Sequence, residues 1–130
     1  MKKALIVIDV QKYFLTRETE PIITKIREHL AKNSSNYSTI YFTIFRNDAD
    51  SPLWNMSEWK SCTGPPDTEI CDEIKEFTNG NNLFYKNILS AAKVLQIREG
   101  LAKNNISEVH LCGFDTDCCV LATAYDLFDQ

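Results

Sequence analysis

The sequence predicts an α/β protein in three layers, a parallel sheet with helices on both faces. Two observations carry that reading. Short β-favouring runs alternate along the chain with stretches whose apolar residues recur at helical spacing, the pattern of repeated βα units joined by right-handed crossovers. The first run, Ala4 to Ile8, is apolar without interruption, as in a strand covered on both sides. At 130 residues, the chain is long enough to bury a single core, and residues 1–130 are expected to form one domain.

Taken in order, the first strand covers Ala4 to Ile8. Pro21 then stands where a first helical position tolerates a missing N–H, and Ile22, Ile23, Ile26 and Leu30 follow at helical spacing to near Asn33. Thr39 to Phe45 is the second strand. From Arg46 to Asp67 the chain has no period, carries Pro52, Gly64, Pro65 and Pro66 with both tryptophans, and is expected to cover a substrate. Ile70, Ile74 and Phe77 predict a short helix opened by Asp67 or Thr68, and Leu83 to Tyr85 a brief third strand. Val94, Ile97 and Leu101 mark a helix stopped by Asn104-Asn105. The Val109 to Gly113 strand then turns into a helical stretch from Val120 to Phe128.

Composition excludes several partners. The net charge is −4 and no run of Lys or Arg occurs, which argues against nucleic acid and anionic membranes. The N-terminal apolar run ends at Asp9, too short for a signal peptide or a membrane span, so a cytoplasmic location is expected. The five cysteines form no C-x-x-C pair and are expected as free thiols, with Cys62, Cys71 and Cys112 read as small buried hydrophobes.

Three residues at strand ends carry the chemistry. Asp9 follows strand one, Lys86 follows strand three, and Cys119 lies in the turn after strand four, so a shared parallel sheet puts all three on its carboxyl rim. A carboxylate can take a thiol proton, an ammonium can hold the resulting charges, and a thiol can attack a carbonyl. Cys119 is expected in the first turn of a helix, where free N–H groups and the macrodipole would lower its pKa. A phosphoacceptor domain would need a second acid at Val10 and an Asp at Lys86. A dinucleotide binder would need a Gly-rich turn in place of Val10-Gln11-Lys12.

Three segments resemble the signature stretches of the isochorismatase-like cysteine hydrolases, a family that includes nicotinamidases. They are Ala4 to Phe14 around Asp9, Tyr85 to Ala91 around Lys86, and Gly113-Phe114-Asp115-Thr116-Asp117-Cys118-Cys119-Val120 continuing to Ala124. The resemblance implies that Asp9, Lys86 and Cys119 hydrolyse a C–N bond of a small amide, imide or ureido substrate through a thioester, without a cofactor. It implies an oxyanion hole from the backbone N–H groups of Asp115 and Cys119, and a cis peptide between Phe114 and Asp115. Gln11 and Phe14 match positions at the edge of the substrate pocket, and Trp59 resembles an aromatic that closes over a flat substrate. The implied strand order is 3-2-1-4.

The chain departs from the pattern in three places. Nicotinamidases hold a metal through an Asp-x-His pair after strand two, where this chain has Asp48-Ala49-Asp50; no metal is expected, and nicotinamide is disfavoured as substrate. Asp115 replaces a small residue, and its charge would raise the pKa of a nearby thiol unless the carboxylate turned away to cap the helix. Family members continue past the last helix with at least one more strand and helix. The domain is therefore expected to be incomplete at its C-terminus: the native chain is longer, or a partner chain covers strand four in a homo-oligomer, or the product is degenerate. The alternative function is a catalytically weak member acting as an interaction module by strand addition.

Overall fold

A computed structural model of the protein describes every residue from Met1 to Gln130. Strands β1 (Lys3–Ile8), β2 (Thr39–Phe45), β3 (Leu83–Lys86) and β4 (Glu108–Gly113) alternate with helices α1 (Glu20–Asn33), α2 (Pro52–Met56), α3 (Leu95–Lys103) and α4 (Leu121–Phe128). The strands form one parallel sheet in the order β3-β2-β1-β4, as expected. β1 lies in the centre and is buried from Ala4 to Ile8, so its uninterrupted apolar run follows from having a helical layer on each side.

The two faces of the sheet carry separate cores. Leu5, Val7, Phe42 and Ile44 pack under α1 through Ile23, Ile26 and Leu30, whose spacing puts them on one stripe of that helix. Ala4, Ile6, Ile8 and Tyr41 pack on the opposite face with Ile97 and Leu101 of α3 and Leu127 of α4. On the α1 face, both histidines of the chain meet one hydroxyl. His29 Nε2 and His110 Nδ1 each lie 2.9 Å from Tyr37 Oη, and His110 Nε2 is 2.5 Å from Glu108 Oε1.

Register places the strand ends together. Ile8 pairs with Thr43 on one side and Gly113 on the other, and Phe45 pairs with Lys86, so β1, β2, β3 and β4 finish on one rim. Gly113 is required there. Its φ is +125°, and a Cβ would come within 2.0 Å of the Ile8 carbonyl oxygen. The peptide between Phe114 and Asp115 is cis.

Two local expectations are corrected. No α-helix opens at Asp67 or Thr68; a 3-10 helix spans Asp72–Phe77 instead. The reason is that residues 69–71 are held extended. Lys12 N–H donates to Glu69 O, Cys71 N–H donates to Val10 O, and Gln11 bridges Ile70. Cys119 does not sit in the first turn of an α-helix either. It lies in a π-helical turn, Thr116–Val120, where the N–H groups of Cys118 and Val120 share the Asp115 carbonyl before α4 begins at Leu121. No helix is long and apolar enough to cross a membrane.

Candidate active site

The rim of the sheet brings Asp9, Lys86 and Cys119 together. Asp9 leaves β1 with φ +53°, a left-handed conformation uncommon outside glycine, and its own N–H donates to Thr43 O at 3.0 Å. That turn sends its fully buried carboxylate inward between β1 and β2. Oδ1 accepts the Thr43 hydroxyl at 2.8 Å, and Oδ2 accepts Lys86 Nζ at 2.9 Å. Lys86 spends its other two N–H bonds on the Ile88 carbonyl at 3.0 Å and the Cys119 sulfur at 3.5 Å. A buried ion pair of this kind is sustained only when its remaining bonding capacity is filled, and here Thr43 and Ile88 fill it.

Burial decides the state of the thiol. It pushes the Cys119 pKa up from its ordinary value, the neighbouring Asp9 charge pushes it further, and Lys86 offsets only part of this. The lowering of the thiol pKa expected from a helix terminus is therefore opposed by burial, and the sulfur lies beside the Asp9–Lys86 ion pair. Asp115 does not cap the turn with its side chain. Its backbone N–H makes no hydrogen bond within the protein.

A cavity of about 300 Å³ opens onto Cys119. Its walls include Phe14 and Trp59, and also Tyr13, Phe45, Leu53 and Leu89. Trp59 Nε1–H donates to Tyr13 Oη at 2.8 Å, and the Trp59 ring stacks on Phe45 with centroids 5.9 Å apart. The unperiodic segment thus delivers Leu53, from α2, and Trp59 to the pocket wall. A larger hollow of about 560 Å³ between α3, β4 and α4 contains none of Asp9, Lys86 or Cys119.

Gln11 is corrected from pocket edge to interior support. It is fully buried, and its amide donates to Phe45 O at 2.8 Å and Asp67 O at 3.2 Å while accepting Phe45 N–H at 2.8 Å. With these bonds made, the side chain holds the Phe45 backbone and the loop in place and does not line the cavity. Thr43, Tyr13 and Phe45 were missed by sequence reasoning. Thr43 had a readable signal: it is the polar residue at the centre of the apolar run Tyr41-Phe42-Thr43-Ile44-Phe45 and so needs a buried partner.

The donors near the rim do not fit a metal. Asp48 Oδ1 accepts Asp50 N–H at 3.0 Å and Asn87 Nδ2 at 3.2 Å, and both histidines are committed to Tyr37 on the α1 face.

The chain belongs to the isochorismatase domain family, whose model matches residues 3–130. It is 27% identical to nicotinamidase 3 of Arabidopsis thaliana over 130 residues, covering 96% of this chain and 65% of that protein, so it spans about two thirds of that relative's length. Among solved structures, N-carbamoylsarcosine amidase from Thermoplasma acidophilum superposes with a TM-score of 0.81 at 25% identity, over 97% of this chain and 75% of the other. The nicotinamidase/pyrazinamidase of Bacillus subtilis gives a TM-score of 0.75 at 26% identity, over 99% and 80%.

Proposed function

We propose that the protein is a cysteine hydrolase that cleaves the C–N bond of a small amide, imide or ureido compound. The observation that carries this is the placement of Lys86 Nζ between the Asp9 carboxylate, 2.9 Å away, and the Cys119 sulfur, 3.5 Å away, with Cys119 lining a mostly apolar cavity. The sulfur attacks the substrate carbonyl carbon as Asp9 takes the thiol proton, so that thiolate forms only when it is consumed. Lys86 compensates the negative charge that moves between carboxylate and sulfur. The tetrahedral oxyanion accepts the N–H groups of Asp115 and Cys119, donors whose single loss costs about 3 to 4 kcal/mol of transition-state stabilisation. Asp9 returns the proton to the leaving nitrogen, and ammonia or an amine departs from a thioester. Water, deprotonated by Asp9, then releases the acid and restores the thiol.

The relatives named as amidase and nicotinamidase support the reaction class. Ammonia release across a panel of small amides and ureides tests it, with Cys119→Ala as control. Turnover by the native protein and none by the variant is the expected result; turnover surviving in Cys119→Ala overturns the role of Cys119. One observation favours a second reading, an interaction module: β4 is an edge of the sheet, with every residue from Glu108 to Gly113 only half-buried. Light scattering tests this reading, because a concentration-independent monomer removes it.

A further inference from the structure

The cavity's charges select among amides. All the N–H bonds of the Lys86 ammonium are committed, to Asp9, Ile88 and Cys119, so the cation nearest the reacting sulfur has none left for a ligand. No lysine or arginine lines the cavity. Lys60 is held by the carbonyls of Trp54 and Ser57, and Arg46 lies over the Tyr85 ring. The one charged wall residue is Asp115, whose exposed carboxylate makes no hydrogen bond or ion pair. Asp115 lines the same cavity as Tyr13, Phe14, Phe45 and Trp59, and the Trp59 N–H is already spent on Tyr13. Aromatic faces beside an unpaired carboxylate attract a cation, and an anion would enter with nothing to neutralise it.

On the reading that this cavity is the active site, we propose that it selects small amides bearing a positively charged nitrogen and rejects those bearing a carboxylate, with the Asp115 side chain as the specificity-determining group. The ligand is small and partly planar, because about 300 Å³ lies at the lower end of ligand pockets and four of the walls are rings. The backbone and the side chain of Asp115 then serve different parts of one molecule, the N–H its carbonyl oxygen and the carboxylate its cation.

Binding and turnover are measured separately. In a ¹H–¹⁵N NMR titration read at the Trp59 indole N–H, benzylammonium is expected to bind about tenfold more tightly than benzyl alcohol, with benzoate weakest. Asp115→Asn is expected to abolish that ranking and Asp115→Glu to retain it. Equal or tighter binding of benzoate by the native protein, no detectable benzylammonium binding, or an unchanged ranking in a folded Asp115→Asn protein each overturns the proposal. Ammonia release from 4-(aminomethyl)benzamide, 4-methylbenzamide and 4-carbamoylbenzoate supplies the second arm. If the binding ranking holds and no amide is hydrolysed, the hydrolase reading fails and the cation preference stands. If amides are hydrolysed with the carboxylate substrate preferred, the hydrolase reading stands and this proposal fails.

Discussion

In the proposed reaction Asp9 acts on Cys119 in two opposed ways, and a single substitution separates them. As a neighbouring charge it raises the thiol pKa; as a base it accepts the thiol proton. Asp9→Asn removes both effects and frees Lys86 to face the sulfur. Turnover is therefore expected to fall by about 10²- to 10⁴-fold while alkylation of Cys119 by iodoacetamide at pH 8 becomes faster. Rate measurement and peptide mapping by mass spectrometry check the pair of outcomes, and slower alkylation would show that Asp9 does not hold the thiol neutral. At this scale the sequence was informative where topology fixes position: Asp9 and Lys86 stand at strand ends and Cys119 in the turn that follows β4, so their meeting on one rim was legible. Their ionisation was not legible. It depends on burial and on the bonds from Thr43 and Ile88, which belong to no local pattern.

Gly113 shows what an element end demands. Its φ of +125° excludes side chains, and the Ile8 carbonyl occupies the space a Cβ would take. Gly113→Ala is expected to destabilise the protein by about 1 to 3 kcal/mol in urea unfolding, against a change within about 0.5 kcal/mol for Gly64→Ala, where nothing lies within 4 Å of the added carbon. Equal effects would mean that β4 can draw away from β1. The strands and the helices α1 and α3 were legible because their apolar spacing matches their burial. The stretch at 69–71 was not, because its pairing with residues 10–12 is a contact between segments far apart in the chain, and the same apolar spacing suits a helix. The π-helical turn at Cys119 likewise leaves the local pattern unchanged, since Val120 to Phe128 still reads as helix.

Across the whole molecule, buried thiols tie stability to alkaline pH. Burial raises Cys62 to about 11 and both Cys71 and Cys112 to about 12, and it raises Cys119 as well. In the unfolded chain these groups ionise near their ordinary value of 9.0. Between those values the unfolded state gives up protons that the folded state keeps, so stability is full below about pH 9 and falls as pH rises above it. Each thiol contributes a slope of about 1.4 kcal/mol per pH unit over its window. Thermal melts from pH 8 to 11 should show a steepening fall in Tm; a flat profile would mean that the thiols ionise equally in both states. The tyrosine between the two histidines carries a consequence of another kind. Glu108 can only accept, so His110 Nε2 donates to it and His110 Nδ1 receives the Tyr37 O–H; Tyr37 in turn receives His29 Nε2–H, and His29 Nδ1 receives Asn33. The chain of bonds from α1 to β4 therefore runs one way, like a line of dominoes. The Tyr37 hydroxyl is the middle piece, so Tyr37→Phe would stop the line halfway and leave a ring nitrogen on α1 and another on the sheet edge each without its neighbour.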